Sequence, residues 1–541
     1  MSIKNKLEKE MKKRILLSIL SGVLFSLAWT QWGMGWTLLV AFVPLLFVEE
    51  EIYQKASALK SINSFYYAYI TFFTWNLIST WWVSNSTIFG GVAAVVLNAL
   101  WYAVLFWIFH ILKRRLGRDF AYLAFVFLWL AFESIYINGE ISWVWLVLGN
   151  GFANNTELIQ WYEYTGALGG SLWVLTVNVL LFYTLHYFYK NQNFSKHILL
   201  NTSLVFVVLI PMLLSFFILK TYKENSNPVS VTMVQPNIDP YNDKFGGMSQ
   251  RRQLSKMLNL IDSKGNSKAD FFVLPETAID GVWENDFNES LSILQIHDFM
   301  MKYPSSSMIL GATTRYLYED GSSTETSREY PPNPNLQYDI FNTALQINAK
   351  DTIQKYHKSK LVIGVEMTPY PAFFNLFKNF IIDLGGTTGN LGSQKERFVF
   401  RNSTNNTLAA PIVCYESIYG EFVTEYVRKK ANALFIITND AWWGDTPGYH
   451  QHLSFAKLRA IENRRSIARC ANTGISAIIN QKGEIEKQTN YWEEDVLNGS
   501  LNLNSELTFF SENGDLIGKT SKWIILFLFL FVGIDLIRKN K

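Results

Sequence analysis

Pro411-Ile-Val-Cys414-Tyr-Glu-Ser-Ile-Tyr-Gly-Glu421 changes texture at its cysteine. The apolar run 408–413 reads as a buried strand, and 415–427 reads as the helix that follows it. A thiol at such a junction lies near unpaired backbone N–H groups and the positive end of a helix dipole, both of which favour thiolate over thiol. Cys414 is therefore a candidate nucleophile, weighed against the plainer reading that a buried cysteine is a small hydrophobe.

Working outward from that stretch, the chain beyond residue 229 alternates short apolar runs with polar, helix-like ones. Residues 230–234, 271–274, 308–312, 343–347, 408–414, 433–438, 467–471 and 476–479 read as strands, and 251–263, 291–303, 417–430 and 451–464 as helices. Near-continuous apolar strands separated by helices predict an α/β domain with covered sheets. Two other strand ends carry charge: Phe271-Phe-Val-Leu-Pro-Glu276 ends on a carboxylate, and Tyr356-His357-Lys358 follows the strand and turn around 343–351. Strand ends along one edge of such a sheet commonly present catalytic groups. The tract 319–335, rich in Ser, Thr, Pro and charge, reads as a mobile insertion of no catalytic weight.

Ahead of residue 221 the composition is that of a membrane protein. The whole chain is 17% charged, against about a quarter in soluble proteins. Its apolar excess concentrates in stretches near 15–31, 36–48, 65–82, 92–112, 121–137, 171–188 and 199–219, with an eighth at 523–537. Basic residues at Lys4 to Arg14, Lys55 and Lys60, Lys113 to Arg115, Lys190 and Lys196, and Arg538 to Lys541 all fall on one side if these are eight spans. By the positive-inside rule that side is the cytoplasm, so both termini lie there and the α/β domain lies outside. The expected domains are thus 1–220, seven membrane helices; 221–521, catalytic; and 522–541, a last span with a basic tail. Trp81, Trp82, Trp143, Trp145, Trp161 and Tyr162 read mostly as interfacial belt residues. Gln160, Glu163 and Asn178 are costlier in such a setting. Gly149, Gly166, Gly169 and Gly170 allow close helix approach.

A net charge of +3, with no basic stretch interleaved with aromatics, argues against nucleic acid as a partner. Two cysteines, Cys414 and Cys470, cannot make a disulfide framework or a zinc site. One bridge between them is possible, although Cys470 in its apolar strand reads as core. Tyr449-His450-Gln451-His452 is a weak metal-ligand set, so no metal is expected.

Glu276 in Leu-Pro-Glu, Lys358 in Tyr-x-Lys-x-x-Leu and Cys414 in Cys-Tyr-Glu resemble the Glu-Lys-Cys triad of the carbon–nitrogen hydrolase (nitrilase) superfamily. With the membrane frame, the chain resembles that superfamily's membrane-embedded branch, the apolipoprotein N-acyltransferase family. Trp143-x-Trp145-x-x-Leu148-Gly149-Asn150 and Asn439-Asp440-Ala441-Trp442 are similar to that family's stretches. One departure is Lys358-Ser-Lys360-Leu-Val-Ile-Gly-Val-Glu366, where the family usually has Lys-x-His-Leu-Val-Pro-Phe-Gly-Glu. Another is Phe245, which stands where the family commonly has a substrate-contacting tryptophan.

The resemblance implies an α-β-β-α sandwich set between membrane spans, in the bacterial inner membrane with the catalytic domain on the periplasmic side. It implies Cys414 as nucleophile, Glu276 as base, and Lys358 with the Tyr415 N–H as oxyanion donors. Glu366, Tyr415 and Glu416 would support the site, with Glu416 positioning Lys358. No cofactor is implied. The acyl donor would be a phospholipid and the acceptor the N-terminal amine of a diacylated apolipoprotein. The segment 369–382, with Phe373 and Phe377, reads as a lid over lipid, against the plainer reading of a core helix of the domain, and Trp442 as a weaker contact of the same kind as the lid. A membrane-tethered amidase using the same triad, and a non-enzymatic scaffold or channel, are the rival readings.

Overall fold

Helices and strands segregate along the chain. The computed structural model describes residues 3–57, 59–189, 194–244, 246–368 and 390–539. Two compact units result: Met1–Tyr222 with Asn513–Lys541, and Lys223–Glu512.

The first unit is helical. Five of its described helices are long and apolar enough to cross a membrane: Ile88–Leu116, Arg118–Asn138, Ala167–Phe188, Ile198–Thr221 and Leu516–Asp535. The other expected spans fall on helices that are less uniformly apolar. Ile3–Leu27 starts with a basic half, and Ile62–Thr80 is diluted by Asn, Ser and Thr. The stretch around residues 36–48 is broken into Gly35–Thr37, Leu38–Ala41 and Val43–Gln54. Its break has a visible cause. The Asn178 carboxamide sits between a backbone donor and acceptor that a continuous helix would pair, accepting from the Phe42 N–H at 2.8 Å and donating to the Leu38 carbonyl at 2.7 Å. Pro44 opens the next piece without an N–H of its own. Asn178 is thus a structural clasp.

Ring packing fills the centre of this unit, with Tyr102 stacked on Trp129 at 5.0 Å and Phe25 on Trp75 at 4.8 Å. Trp82, Trp145, Trp161 and Tyr162 belong to this interior and are buried, whereas Trp81 is exposed. Most of these rings are thus packed inside the helical unit, and the connection 144–158 is made of short 3-10 turns. Gly149 is required there: a Cβ would lie 1.8 Å from the Ala167 carbonyl oxygen. By contrast, only 11% of the most apolar window of Ile198–Thr221 is buried, which leaves a long apolar face of the kind lipid covers.

A buried ion cluster also ties the helices together. Lys113 is fully buried, pairs with Glu49, and lies 2.8 Å from Glu50; His110 lies 2.7 Å from Glu49. Arg118 also pairs with Glu50. Glu49→Leu leaves Lys113 with Glu50 and takes a partner from His110, so it is expected to cost about 1–3 kcal/mol. The measurement is reversible unfolding in mixed detergent micelles.

The second unit is built on fourteen described strands. In chain order these are β1 (Pro228–Gln235), β2 (Phe271–Val273), β3 (Ile279–Trp283), β4 (Ser307–Tyr318), β5 (Arg328–Tyr330), β6 (Asn333–Asn348), β7 (Gln354–His357), β8 (Phe400–Arg401), β9 (Leu408–Val413), β10 (Ala433–Thr438), β11 (Ile467–Ala471), β12 (Ala477–Ile479), β13 (Ile485–Gln488) and β14 (Asp495–Asn502). One sheet runs β14-β1-β2-β4-β6-β5, with β3 on β4 and β7 on β6; the other runs β13-β12-β11-β10-β9-β8. Each of the eight expected strand runs lies on one of these.

The sheets face each other through Phe271 and Phe435, whose rings are 5.0 Å apart, and through Cys470, whose Sγ lies 3.3 Å from the Val234 and Val273 carbonyls. Cys470 is a core residue, and it and Cys414 are free thiols. Helices Gln250–Lys264 and Leu291–Met300 cover the outer face of the first sheet. Leu254, Met257 and Ile261 from one, with Ile293 and Ile296 from the other, pack on Phe272, Met308, Leu310 and Leu345. Helices Gly420–Arg428 and Pro447–Asn463 accompany the second sheet. The tract 319–335 is more ordered than its composition implies: β5 pairs antiparallel with β6, and the hydroxyls of Thr324 and Thr326 donate to the buried Asp339 carboxylate.

Candidate active site

Parallel pairing brings the strand ends together. β2 pairs with β4, and after β2 the chain turns through Leu274, Pro275 and Glu276. Gly311 of β4 lets that turn approach, since a Cβ there would lie 2.6 Å from the Glu276 Cα. Thr277 completes the turn at φ 50°, in the left-handed region. Lys358 follows the last residue of β7 and is tied to β6 by its backbone N–H, which donates to the Asn342 carbonyl at 2.8 Å.

The buried Lys358 ammonium lies between two carboxylates, 3.1 Å from Glu276 Oε1 and 3.0 Å from Glu366 Oε1. Asn342 Nδ2 donates to the same two oxygens at 2.9 and 2.8 Å. Two negative groups are thus held together by one cation and one amide. Burial disfavours the charge on Glu276, yet Lys358 and Asn342 hold its carboxyl below the usual range. Burial likewise works against the Lys358 charge, but Glu276, Glu366 and Cys414 hold the ammonium well above the usual lysine range.

Cys414 closes β9 in an uncommon backbone state, φ 48° for a residue with a side chain. Burial and the Glu276 charge push its thiol above the usual range, against the pull of Lys358. The α-helix read from residue 415 starts later. Residues Cys414–Ile418 form one 3-10 turn, Tyr419 is extended, and the α-helix begins only at Gly420. Glu416 folds back on this turn, its Oε2 accepting from the Val413 N–H at 2.9 Å. At rest the site therefore holds a neutral thiol beside an ionised carboxylate and an ammonium. That set can move the thiol proton to Glu276 and hold a developing oxyanion with Lys358.

Comparison with known proteins gives the family. Residues 230–506 match the carbon–nitrogen hydrolase family, and residues 21–180 match the apolipoprotein N-acyltransferase N-terminal domain. The chain belongs to the carbon–nitrogen hydrolase superfamily, in its apolipoprotein N-acyltransferase branch. Relatives named apolipoprotein N-acyltransferase include one from Chlorobaculum tepidum, 28% identical over 94% of this chain and 95% of its own. Another, from Geobacter metallireducens, is 26% identical over 93% of this chain and 92% of its own. Among solved structures, Saccharomyces cerevisiae Nit3, a member of the nitrilase superfamily, is 16% identical with a TM-score of 0.36, covering 55% of this chain and 97% of that one.

Within this member of the apolipoprotein N-acyltransferase branch, Glu276, Lys358 and Glu366 are in direct contact, and Cys414 lies in the field of the first two. Glu416 does not touch the ammonium. Its Oε1 accepts from the Tyr356 hydroxyl at 2.6 Å and the Ser359 N–H at 2.7 Å, so it grips the chain on both sides of Lys358. Lys360 is turned away, its ammonium 5.0 Å from the Tyr419 ring centroid, which leaves Lys358 as the lysine of the site. Tyr415 is buried, with its ring 5.4 Å from that of Tyr419. Trp442 packs edge-on against Tyr241 at 5.5 Å and accepts that residue's hydroxyl on its carbonyl. Phe245, Phe373, Phe377 and the proposed lid segment lie outside the described residues.

Sequence reasoning missed Asn342, whose only signal was a polar residue beside the apolar run 343–347. It also missed Lys244, which donates to the Glu276 carbonyl at 3.3 Å. Burial lowers the Lys244 ammonium to about 8.

Proposed function

We propose that the chain transfers an acyl group from a phospholipid to the α-amine of a lipid-bearing N-terminal cysteine, by way of a thioester on Cys414. Glu276 takes the Cys414 proton, the thiolate attacks the ester carbonyl, and the departing glycerol oxygen recovers that proton. The acceptor amine then gives a proton to Glu276 as it attacks the thioester, and Glu276 passes that proton to the departing sulfur, so that the amide forms and the thiol is restored. Lys358 and the Tyr415 N–H hold the oxyanion in both halves. Glu366 and Asn342 keep the ammonium in place, and no cofactor takes part. Eight spans, with residues 221–521 on the periplasmic side and both termini in the cytoplasm of a bacterial inner membrane, complete the proposal.

The observation that carries this reading is the Lys358 ammonium bonded to both Glu276 and Glu366 with the Cys414 thiol in its field. The match of residues 21–180 to an acyltransferase domain favours transfer over simple amide hydrolysis. The test is incubation of the purified protein with acyl-labelled phospholipid. Label is expected on the Cys414 peptide, released by hydroxylamine, chased onto a diacylated lipopeptide, and absent in Cys414→Ala. Label that passes only to water would identify an amidase-type hydrolase, and label that persists in Cys414→Ala would overturn the proposal.

A further inference from the structure

Behind the thiol lies a second run of buried polar side chains that the transfer scheme leaves unused. β10 pairs parallel with β9, with Ile437 against Val413, so Thr438 comes level with Cys414. The Thr438 hydroxyl lies 3.2 Å from the Cys414 sulfur and 3.0 Å from Asp440 Oδ1. It has one hydrogen for two acceptors.

Asp440 is unusually well supplied with partners. His452 Nδ1 lies 2.9 Å from its Oδ1, and Arg469 Nη2 donates to its Oδ2 at 2.6 Å. Burial opposes its charge, but Arg469 and His452 hold the carboxyl well below the usual range. The far side of His452 reaches the nucleophile's own backbone. Its Nε2 is 3.3 Å from the Cys414 carbonyl and 3.1 Å from Ser417 Oγ, and Ser417 donates to that same carbonyl at 2.7 Å. Ser417 and His452 Nε2 thus both lie against that carbonyl, and Arg469 Nη2 also lies 3.2 Å from His452 Nδ1. The left-handed turn at Cys414 is thereby held from behind.

While the sulfur keeps its proton it is a weak acceptor, and the Thr438 hydroxyl serves the carboxylate. Once that proton has passed to Glu276, the sulfur is an anion and the stronger claimant. Asp440 can release the hydroxyl because His452 and Arg469 still satisfy it, so no buried charge is left bare.

We propose that Thr438 is a further catalytic residue, whose hydroxyl turns from the Asp440 carboxylate to the Cys414 sulfur as the thiolate forms, with Asp440, His452 and Arg469 as the positioning set that permits the turn. No bond to Thr438 is made or broken, and its own proton stays in place. The inference rests on Cys414 being the acyl carrier. The plainer alternative is a hydroxyl that only satisfies a buried carboxylate.

The experiment is the pH profile of Cys414 alkylation by iodoacetamide, read by mass spectrometry on the full-length protein in detergent. Thr438→Val keeps the shape and removes the hydroxyl. It should slow alkylation near neutral pH about tenfold, the effect of losing one hydrogen bond to a charged group. The profile should move to higher pH, and Thr438→Ser should return it to the parent position. Coincident parent and Val profiles, or a Ser variant that shifts as Val does, would overturn the role. If the Val variant does not fold, Thr438→Ala against Thr438→Ser makes the same comparison. Failure of the underlying reading is separate, since it appears as a parent protein that takes no acyl label on Cys414.

Discussion

Glu276→Gln is expected to pull apart two properties that a damaged site loses together. Acyl transfer should fall by about 100- to 10,000-fold, the range for removing a general base. Cys414 should meanwhile be alkylated at lower pH than in the parent. The second effect follows from charge: after burial, the Glu276 carboxylate is the largest influence holding the thiol protonated, while Lys358 acts in the opposite direction. Glutamine keeps an oxygen that can accept from Lys358 and Asn342, so the contacts at 3.1 and 2.9 Å have a replacement. A more reactive thiol in a slower enzyme is hard to explain by general disruption. Profiles of turnover and of iodoacetamide alkylation on the same preparation decide it: a thiol that becomes harder to alkylate would contradict the charge argument, and transfer at the parent rate would contradict the assignment of Glu276 as the base.

What could be read from the chain was what is local. The strand run 408–413 and the residue that ends it follow from an apolar stretch meeting a polar one, and the structure places β9 and Cys414 there. Glu276 and Lys358 were legible for the same reason, each following the end of a strand. What failed was inference across a turn. The α-helix read as starting at residue 415 starts at Gly420, after a 3-10 turn and an extended residue, and the Glu416 contact to the Val413 N–H depends on side-chain direction. Partners from distant strands were out of reach. Asn342 shares the two carboxylates with Lys358, and Thr438 reaches the sulfur, through sheet register alone. His452 was noticed as a poor metal ligand, but its actual partner, Asp440, stands twelve residues earlier on another element. In the helical unit, Asn178 stood out as costly in a membrane, and only the broken helix opposite explains it.

Lys358→Met reverses the sign of one arm. Transfer should fall about 100- to 1,000-fold, as for loss of an oxyanion donor, and alkylation of Cys414 should move to higher pH because the cation that opposes Glu276 and burial is gone. A third consequence is separate from turnover. In the parent, the folded-state value of Glu276 lies below its unfolded one, so the stabilisation it brings is present above the ordinary carboxylate range and is lost as pH falls through the lowered value. Lys358 is shifted up, so its contribution is present below the ordinary lysine range and is lost only as pH rises through the raised value. Without the ammonium, Glu276 and Glu366 face each other with only Asn342 between them. Two like charges that close raise one carboxyl, which then takes up a proton under milder acid. The variant should therefore lose its stabilisation from Glu276 at higher pH than the parent does, as measured by denaturation of the detergent-solubilised protein across the acid range. Lys358→Arg keeps a cation in the cluster and should retain more of the parent's acid stability than Met does. If Met and Arg variants unfolded along the same acid curve as the parent, the ammonium would not be what holds the two carboxylates together.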